Sequence, residues 1–599
     1  MKSVVFDGCF GWLHPAAGRG GVVLCGPLGY EALCTHRAWK ALAEQLASAG
    51  HPTLRFDYPG TGDSAGDDEE PERLRAWLDG IQAAVRRLRA ETGVTEVTLV
   101  GLRTGATLAA LAAEEMGGVD RLVLLAPWMS GQAYVHRLKA LSRLNTSADG
   151  TPPPRREQGD DIEYGGFVLT AETQKALAAK DLMELRQSPA RHVLLLTHGG
   201  ARDIPPFSAA LESLGATVSV HPFVGFVGLM RDALKSEIPA DAFRLVTDWV
   251  TLRTTPKPVE CFSEAQLELD SLVEQPIFFD ESSRLFGIVS KPRVAAGDPR
   301  RPAVLFLNTG VNHHVGASRM SVTLARRLAA HGITSLRIDS GGIGDSAPRP
   351  GMPAVPENIE DFVCSTETCA EVTKAIEWLE ARGHRKCVVV GLCSGATIGL
   401  NLALSDRRIG GLVLINIQRF DVASTIVAKK KFLGAIRSRI AFISNSSCPQ
   451  TWQVALRAGI RFTNSVAINL KARSRKLRDR LSATEENGDT PIALMHRLSH
   501  KRVPTMLVCS ENDSTRTMLE EHFGKDMALL RNLPGIRVEQ IDGADHTLTL
   551  RSLREEFAQL MEDFLMTSEA QATAPAPEDA EEAQTGSVQG IWCAPPASG

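Results

Sequence analysis

The chain has 599 residues, about four times the ~150 typical of one domain, so two large domains are expected. A composition of 43% hydrophobic and 23% charged residues supports sizeable cores, and 66 Lys+Arg against 70 Asp+Glu (net −4) exclude a globally basic nucleic-acid binder. No run of ~18 apolar residues marks a membrane span, and Asp7 interrupts the N-terminal segment before a signal-peptide core.

From the N-terminus, an apolar strand at Gly21–Leu24 leads into a glycine-containing loop. An amphipathic helix (about 37–49) and a strand carrying Leu54-Arg55-Phe56-Asp57 follow. Next come a helix (about 72–91), a strand at Val94–Val100, a tight glycine turn, an Ala-rich helix and a strand at 121–127. A long excursion ends at the strand 192–198. The same order then recurs. Strand Ala303–Leu307 precedes a helix (about 319–331), a strand carrying Leu336-Arg337-Ile338-Asp339, a helix (about 367–382) and strand Lys386–Val390. A second glycine turn, helix and strand (411–417) lead to another excursion, which ends at 503–510. The recurrence is written in the residues too. Arg37, Asp57 and Gly62-Asp63-Ser64 match Arg319, Asp339 and Gly344-Asp345-Ser346 at a shift of 282, and VGLRTGAT (100–107) matches VGLCSGAT (390–397) at a shift of 290. This is a duplicated domain, expected over 1–252 and 276–566, with a linker at 253–275 and a disordered acidic tail at 567–599. Strands alternating with helices predict an α/β fold, each copy a mostly parallel sheet flanked by helices.

The second copy carries the chemistry. Val390 runs into Gly391-Leu392-Cys393-Ser394-Gly395 and then a helix. So sharp a strand–turn–helix crowds the backbone, and small residues must flank the central one at −2 and +2. Gly391 and Gly395 hold those places around Cys393, whereas centring on Ser394 would put Leu392 and Ala396 there. A helix N-terminus favours a thiolate, a stronger nucleophile than a neutral hydroxyl. The bland reading is a buried structural cysteine. Asp513, just past the strand VPTMLV, with Glu511 as fallback, lies where the resemblance of this elbow to that of α/β-hydrolases implies the acid, and His546 follows in the chain order that resemblance implies for the general base. The backbone amides of Ser394 and Val311 are the expected oxyanion donors. His313 and His314, in the loop of Val311, are candidates to line a substrate pocket or to be solvated.

Both copies resemble the α/β-hydrolase superfamily, through the Gly-Asp-Ser boxes after the RFD and RID strands and through the two glycine elbows. GLRTGA, LAPWMSGQAY and FDYPGTGDS are similar to hydrolases associated with bacterial exosortase systems. A cysteine at the elbow is similar to dienelactone hydrolases, polyhydroxyalkanoate synthases and bile-acid-CoA:amino-acid acyltransferases. The resemblance implies two tandem α/β-hydrolase domains and a Cys-Asp-His triad on Cys393, Asp513 and His546.

The first copy departs from the pattern. Its elbow has Arg103 in the nucleophile's place, and Val227 aligns near His546. Asp203 remains as an acid, but an acid alone does nothing, so the first domain is expected to be a pseudoenzyme. Arg103, a cation at a helix N-terminus, needs an anion: an internal partner such as Asp203, or a bound carboxylate or phosphate. In the second copy, 421–502 is expected to form a lid over Cys393, with sixteen Lys/Arg against five Asp/Glu. Its Arg473, Arg475 and Lys476 are candidate carrier contacts. Such a patch suits acyl-CoA or an acyl carrier protein, or else is solvated, self-paired with the acidic tail, or drawn to RNA or membrane surfaces. The expected function is acyl transfer through a Cys393 acyl-thioester, from an acyl-CoA or acyl-carrier-protein thioester to an alcohol or amine. The alternatives are hydrolysis of an ester, lactone or thioester by the same triad, and a non-catalytic binding scaffold. No cofactor or metal is required. Eleven scattered cysteines without CxxC spacing point to a reducing cytoplasm and no disulfide framework.

Overall fold

Val-, Leu- and Ile-rich runs such as Gly20–Cys25 and Cys387–Leu392 are buried along their whole length, as central strands covered on both faces must be. The computed structural model describes residues 1–144, 160–199, 204–251, 265–282, 284–293, 301–350, 359–420 and 490–573. The first sheet has eight strands, in spatial order Lys2–Phe6, Cys9–His14, Thr53–Phe56, Gly20–Cys25, Glu96–Leu102, Arg121–Leu125, His192–Thr197 and Thr217–Pro222. The second has nine: Leu267–Glu268, Leu272–Phe278, Phe286–Pro292, Ser335–Ile338, Ala303–Phe306, Cys387–Leu392, Ile409–Ile415, Thr505–Ser510 and Ile536–Ile541. In both, the leading edge is antiparallel and the rest parallel. Alternate residues of a strand feed opposite cores. Val23 and Cys25 face one helix layer while Val22 and Leu24 face the other. Leu305 and Val389 are divided from Val304 and Val390 in the same way.

Three expected boundaries move. Residues 267–275, expected as linker, belong to the second sheet, because Leu267 and Leu272 are buried and Glu274 is an interior charge partner. Residues 491–500, expected in the lid, form the helix Pro491–His500, capped by the Thr490 hydroxyl and fixed in the core by Leu494, Met495 and Leu498. The helix Arg551–Thr573 runs through 567, where the tail was expected to begin. The rest of the expected lid, 421–489 with Arg473, Arg475 and Lys476, lies outside the described residues. So do 252–264 and 574–599. Among the described residues no helix is long and apolar enough to cross a membrane.

The two copies pack on each other through their repeated Gly-Asp-Ser boxes. Arg55 pairs with Asp345 of the other copy, and Arg337 Nη1 pairs with Asp63 Oδ1 at 2.6 Å. The 282-residue shift turns one pair into the other, so the interface is two-fold within one chain, like the isologous interface of a dimer. Phe10, Trp12, Phe286 and Ile288 form its apolar centre, with the Trp12 and Phe286 rings 4.7 Å apart. Trp12 Nε1 donates to Asp345 Oδ2 (2.9 Å), and Arg319 donates to the carbonyls of Gly62, Ser64 and Gly66 (2.8, 2.6 and 2.6 Å).

Candidate active site

Strand Cys387–Leu392 ends at Cys393, and helix Ser394–Ala403 begins one residue later. Cys393 therefore absorbs the whole turn, at φ 56° and ψ −111°, a conformation that L side chains rarely adopt and that concentrates at functional sites. The glycines around it have a steric reason. A Cβ on Gly391 would lie 2.2 Å from the Gly395 carbonyl carbon, and one on Gly395 would lie 2.8 Å from the Asn308 carbonyl oxygen. Cys393 is half-buried. By contrast Cys9, Cys25, Cys34, Cys364 and Cys387 are buried, and burial pushes their thiols up to about 12.

The expected partners come to the same place. Asp513 follows strand Thr505–Ser510 and occupies the N-cap position of the helix Ser514–Phe523 without capping it; its Oδ2 is 2.6 Å from His546 Nδ1. Burial works to raise the Asp513 carboxyl, but the His546 hydrogen bond and charge, with the Thr515 hydroxyl, hold it below the usual range. Burial alone would lower His546. Interactions with Asp513 and with Cys393 outweigh it and raise the imidazole to about 10. Glu511, the fallback acid, is turned elsewhere: its Oε2 accepts from Gly543 N at 2.7 Å and braces the turn before His546. Two residues not singled out from the sequence complete the group. Gln418 spans it, with Oε1 3.5 Å from Cys393 Sγ and Nε2 3.4 Å from His546 Nδ1. Asn416 Nδ2 donates to the His546 carbonyl at 2.8 Å. Both follow strand Ile409–Ile415, whose C-terminal end beside the elbow was the only signal in the sequence.

Ser394 lies beside the elbow but does not point outward as a nucleophile would. Its Oγ accepts from Gly310 N at 2.8 Å, which ties the loop after strand Ala303–Phe306 to the helix that bears the Ser394 amide. Val311 is in that loop, its side chain packed against Ile343, Val363 and Cys364. The pocket role expected for His313 and His314 is not what the structure shows. His314 is buried between Asp339 and Asp63 of the other domain, Nδ1 and Nε2 each 2.7 Å from a carboxylate oxygen. His313 is half-buried and stacks on His36 of the first domain at 4.1 Å. Interdomain packing claims both rings, which a one-dimensional reading of the loop does not reveal.

The first copy keeps the elbow backbone without the chemistry. Arg103 sits at φ 57° and ψ −119°, and Thr104 Oγ1 accepts from Leu28 N at 2.9 Å as Ser394 does from Gly310. The arginine's anion is Glu31 (3.3 Å), and its guanidinium also lies 4.3 Å over the Trp128 ring, a cation–π contact. Asp203, the partner considered from the sequence, lies outside the described residues. Val227 is exposed on the short helix Phe226–Leu229.

Two family models match the chain, serine aminopeptidase S33 over residues 34–203 and the alpha/beta hydrolase family over residues 304–560. Among solved structures, the ferulic-acid complex of Est1E from Butyrivibrio proteoclasticus is similar at 18% identity and a TM-score of 0.30, over 42% of this chain and 96% of that one. Dienelactone hydrolase from Anabaena variabilis is similar at 13% identity and a TM-score of 0.29, over 50% of this chain and 98% of that one. No curated protein sequence matches this chain.

Proposed function

The chain is a tandem of two α/β-hydrolase domains, and on that footing we propose that the second cleaves an ester or thioester through an acyl-thioester on Cys393. The observation that carries the reading is the 2.6 Å hydrogen bond of His546 to Asp513, beside Cys393 at the strained centre of the elbow, with Gln418 3.5 Å from Cys393 Sγ and 3.4 Å from His546 Nδ1. The nucleophile is the thiolate, with the His546 imidazolium as its counter-ion. Sγ attacks the acyl carbonyl carbon. The negative charge that develops on oxygen is met by the amides of Ser394 and Val311. The tetrahedral adduct collapses, its bond to the alcohol or thiol breaks, and His546 gives its proton to that leaving group. The neutral imidazole then takes a proton from water, or from a bound alcohol or amine, as it attacks the thioester. Departure of the Cys393 thiolate restores the starting pair. Asp513 holds the ring through Nδ1 and stabilises its charged form in both halves of the cycle.

Transfer to an alcohol or amine, rather than to water, is the reading that a cysteine and a basic insert at 421–489 suggest. Acyl-CoA or an acyl carrier protein would then be the donor. The first domain is non-catalytic in this account, since Arg103 occupies the nucleophile's place and is engaged by Glu31. The test is to incubate the full chain with an acyl thioester, locate the added acyl mass, and follow its loss with and without an added amine or alcohol. An adduct on Cys393 that an acceptor discharges faster than water supports transfer. Rapid discharge in water alone selects hydrolysis. Full biological activity of Cys393→Ala would leave the scaffold reading instead.

A further inference from the structure

The loop beside the elbow is held from both domains. Within the second domain, Asn308 Nδ2 reaches the Asn312 carbonyl (3.0 Å) and Asp339 Oδ1 (3.1 Å), and Gly310 N reaches Ser394 Oγ (2.8 Å). The loop ends at His314, whose backbone N–H and Nδ1 each lie 2.7 Å from an Asp339 oxygen. The remaining ring nitrogen, Nε2, meets only Asp63 Oδ2 of the first domain, at 2.7 Å. Asp63 is held in turn by Arg337 Nη1 on its other oxygen, at 2.6 Å. His314, Asp339, Asp63 and Arg337 are all buried.

This contact breaks the two-fold character of the interface. The Arg55–Asp345 and Arg337–Asp63 pairs repeat at a shift of 282, but the same shift puts Ala32 opposite His314. Asp57, the counterpart of Asp339, therefore has no histidine, and burial with the nearby Asp63 charge raises it to about 7. A histidine thus stands on one side only, on the loop that adjoins Cys393. Burial disfavours its charge, but Asp339 and Asp63 together raise it well above an ordinary imidazole, and the ring bridges the two carboxylates at 2.7 Å from each.

We propose that Asp63 is a positioning residue for the second domain's site: through His314 it fixes the loop 308–314 against the elbow, so the domain without a nucleophile shapes the oxyanion side of the domain that has one. The inference rests on the acyl-enzyme reading above. It gives the first domain a role that needs no ligand of its own.

The test separates oxyanion formation from thiolate reactivity in the full chain. Acylation of Cys393 by a thioester builds an oxyanion, whereas its alkylation by iodoacetamide does not. Asp63→Asn keeps the size of the side chain and removes the charge. It is expected to slow acylation about 10- to 100-fold, as a displaced oxyanion donor would, and to leave alkylation within about twofold of wild type. Arg55→Lys weakens the other half of the interface without touching His314 and is expected to leave both rates within about twofold. His314→Gln approaches the same link from the second domain and should reproduce the Asp63→Asn pattern, which serves if Asp63→Asn does not fold. Unchanged acylation in Asp63→Asn, or equal losses of acylation and alkylation, would overturn the proposal. Failure of wild type to acylate at all would overturn the acyl-enzyme reading itself.

Discussion

Arg337 offers a sharp test of how the two domains are joined. Its side chain has no exposed surface, and its two terminal nitrogens meet Asp63 at 2.6 Å and Glu274 at 2.9 Å. Glu274 also takes Ser290 Oγ (2.9 Å) and the Arg326 guanidinium (2.6 Å). Arg337→Met keeps the apolar stem and removes the cation, leaving two buried carboxylates short of a partner. Removing one member of a buried ion pair costs about 3–5 kcal/mol. For a domain of this size each kcal/mol moves the melting temperature by ~2–4 °C, so the first thermal transition should fall by roughly 6–20 °C. Removing the charges together, in Arg337→Met/Asp63→Asn/Glu274→Gln, should recover part of that loss. The exposed pair Arg244–Asp241, 67% and 70% accessible, provides the reference, because Arg244→Met should shift stability by no more than about 0.5 kcal/mol. Calorimetry with Trp fluorescence follows the transition, and Trp12 sits at the interface to report on it. An Arg337→Met shift no larger than that of Arg244→Met would refute the argument that this buried network joins the domains.

Further outcomes follow from the site. Gly395→Ala places a Cβ 2.8 Å from the Asn308 carbonyl oxygen and displaces the loop; turnover should fall about 100-fold with some loss of melting temperature, and unaltered steady-state kinetics would contradict the elbow geometry. Asp513→Asn should lower turnover, but by less than Cys393→Ala, and wild-type rates would reject Asp513 as the acid. His546 also links stability to pH. Its imidazole is raised from an ordinary 6.5 to about 10, so its contribution is complete below pH ~6.5 and is lost as pH rises through about 10. Wild type should therefore lose more melting temperature between pH 7 and 10 than His546→Gln does, and parallel profiles would deny the shift.

What was legible in the sequence was what local covalent geometry imposes. The elbow demands small residues on both sides of one residue, so Gly391 and Gly395 single out Cys393 within it. Chain order then leads to Asp513 and His546, and the repeat reveals two domains. What stayed hidden depends on contacts between distant segments. The Gly-Asp-Ser boxes read as a family signature, yet Asp63 and Asp345 are used to bind the two copies together. His313 and His314 sit on the loop expected at the site, but their rings are taken by His36, Asp339 and Asp63. Arg103 finds Glu31, 72 residues away. Residues 491–500 followed a basic stretch and so read as lid, whereas buried Leu494, Met495 and Leu498 make them part of the core.

The most direct test of the account is the mass of the Cys393 peptide after the full chain is mixed with an acyl thioester and quenched. The account predicts one acyl group on Cys393, absent in Cys393→Ala and strongly reduced in His546→Ala. Turnover of the thioester in Cys393→Ala at the wild-type rate, or an adduct on Ser394 in place of Cys393, would contradict it.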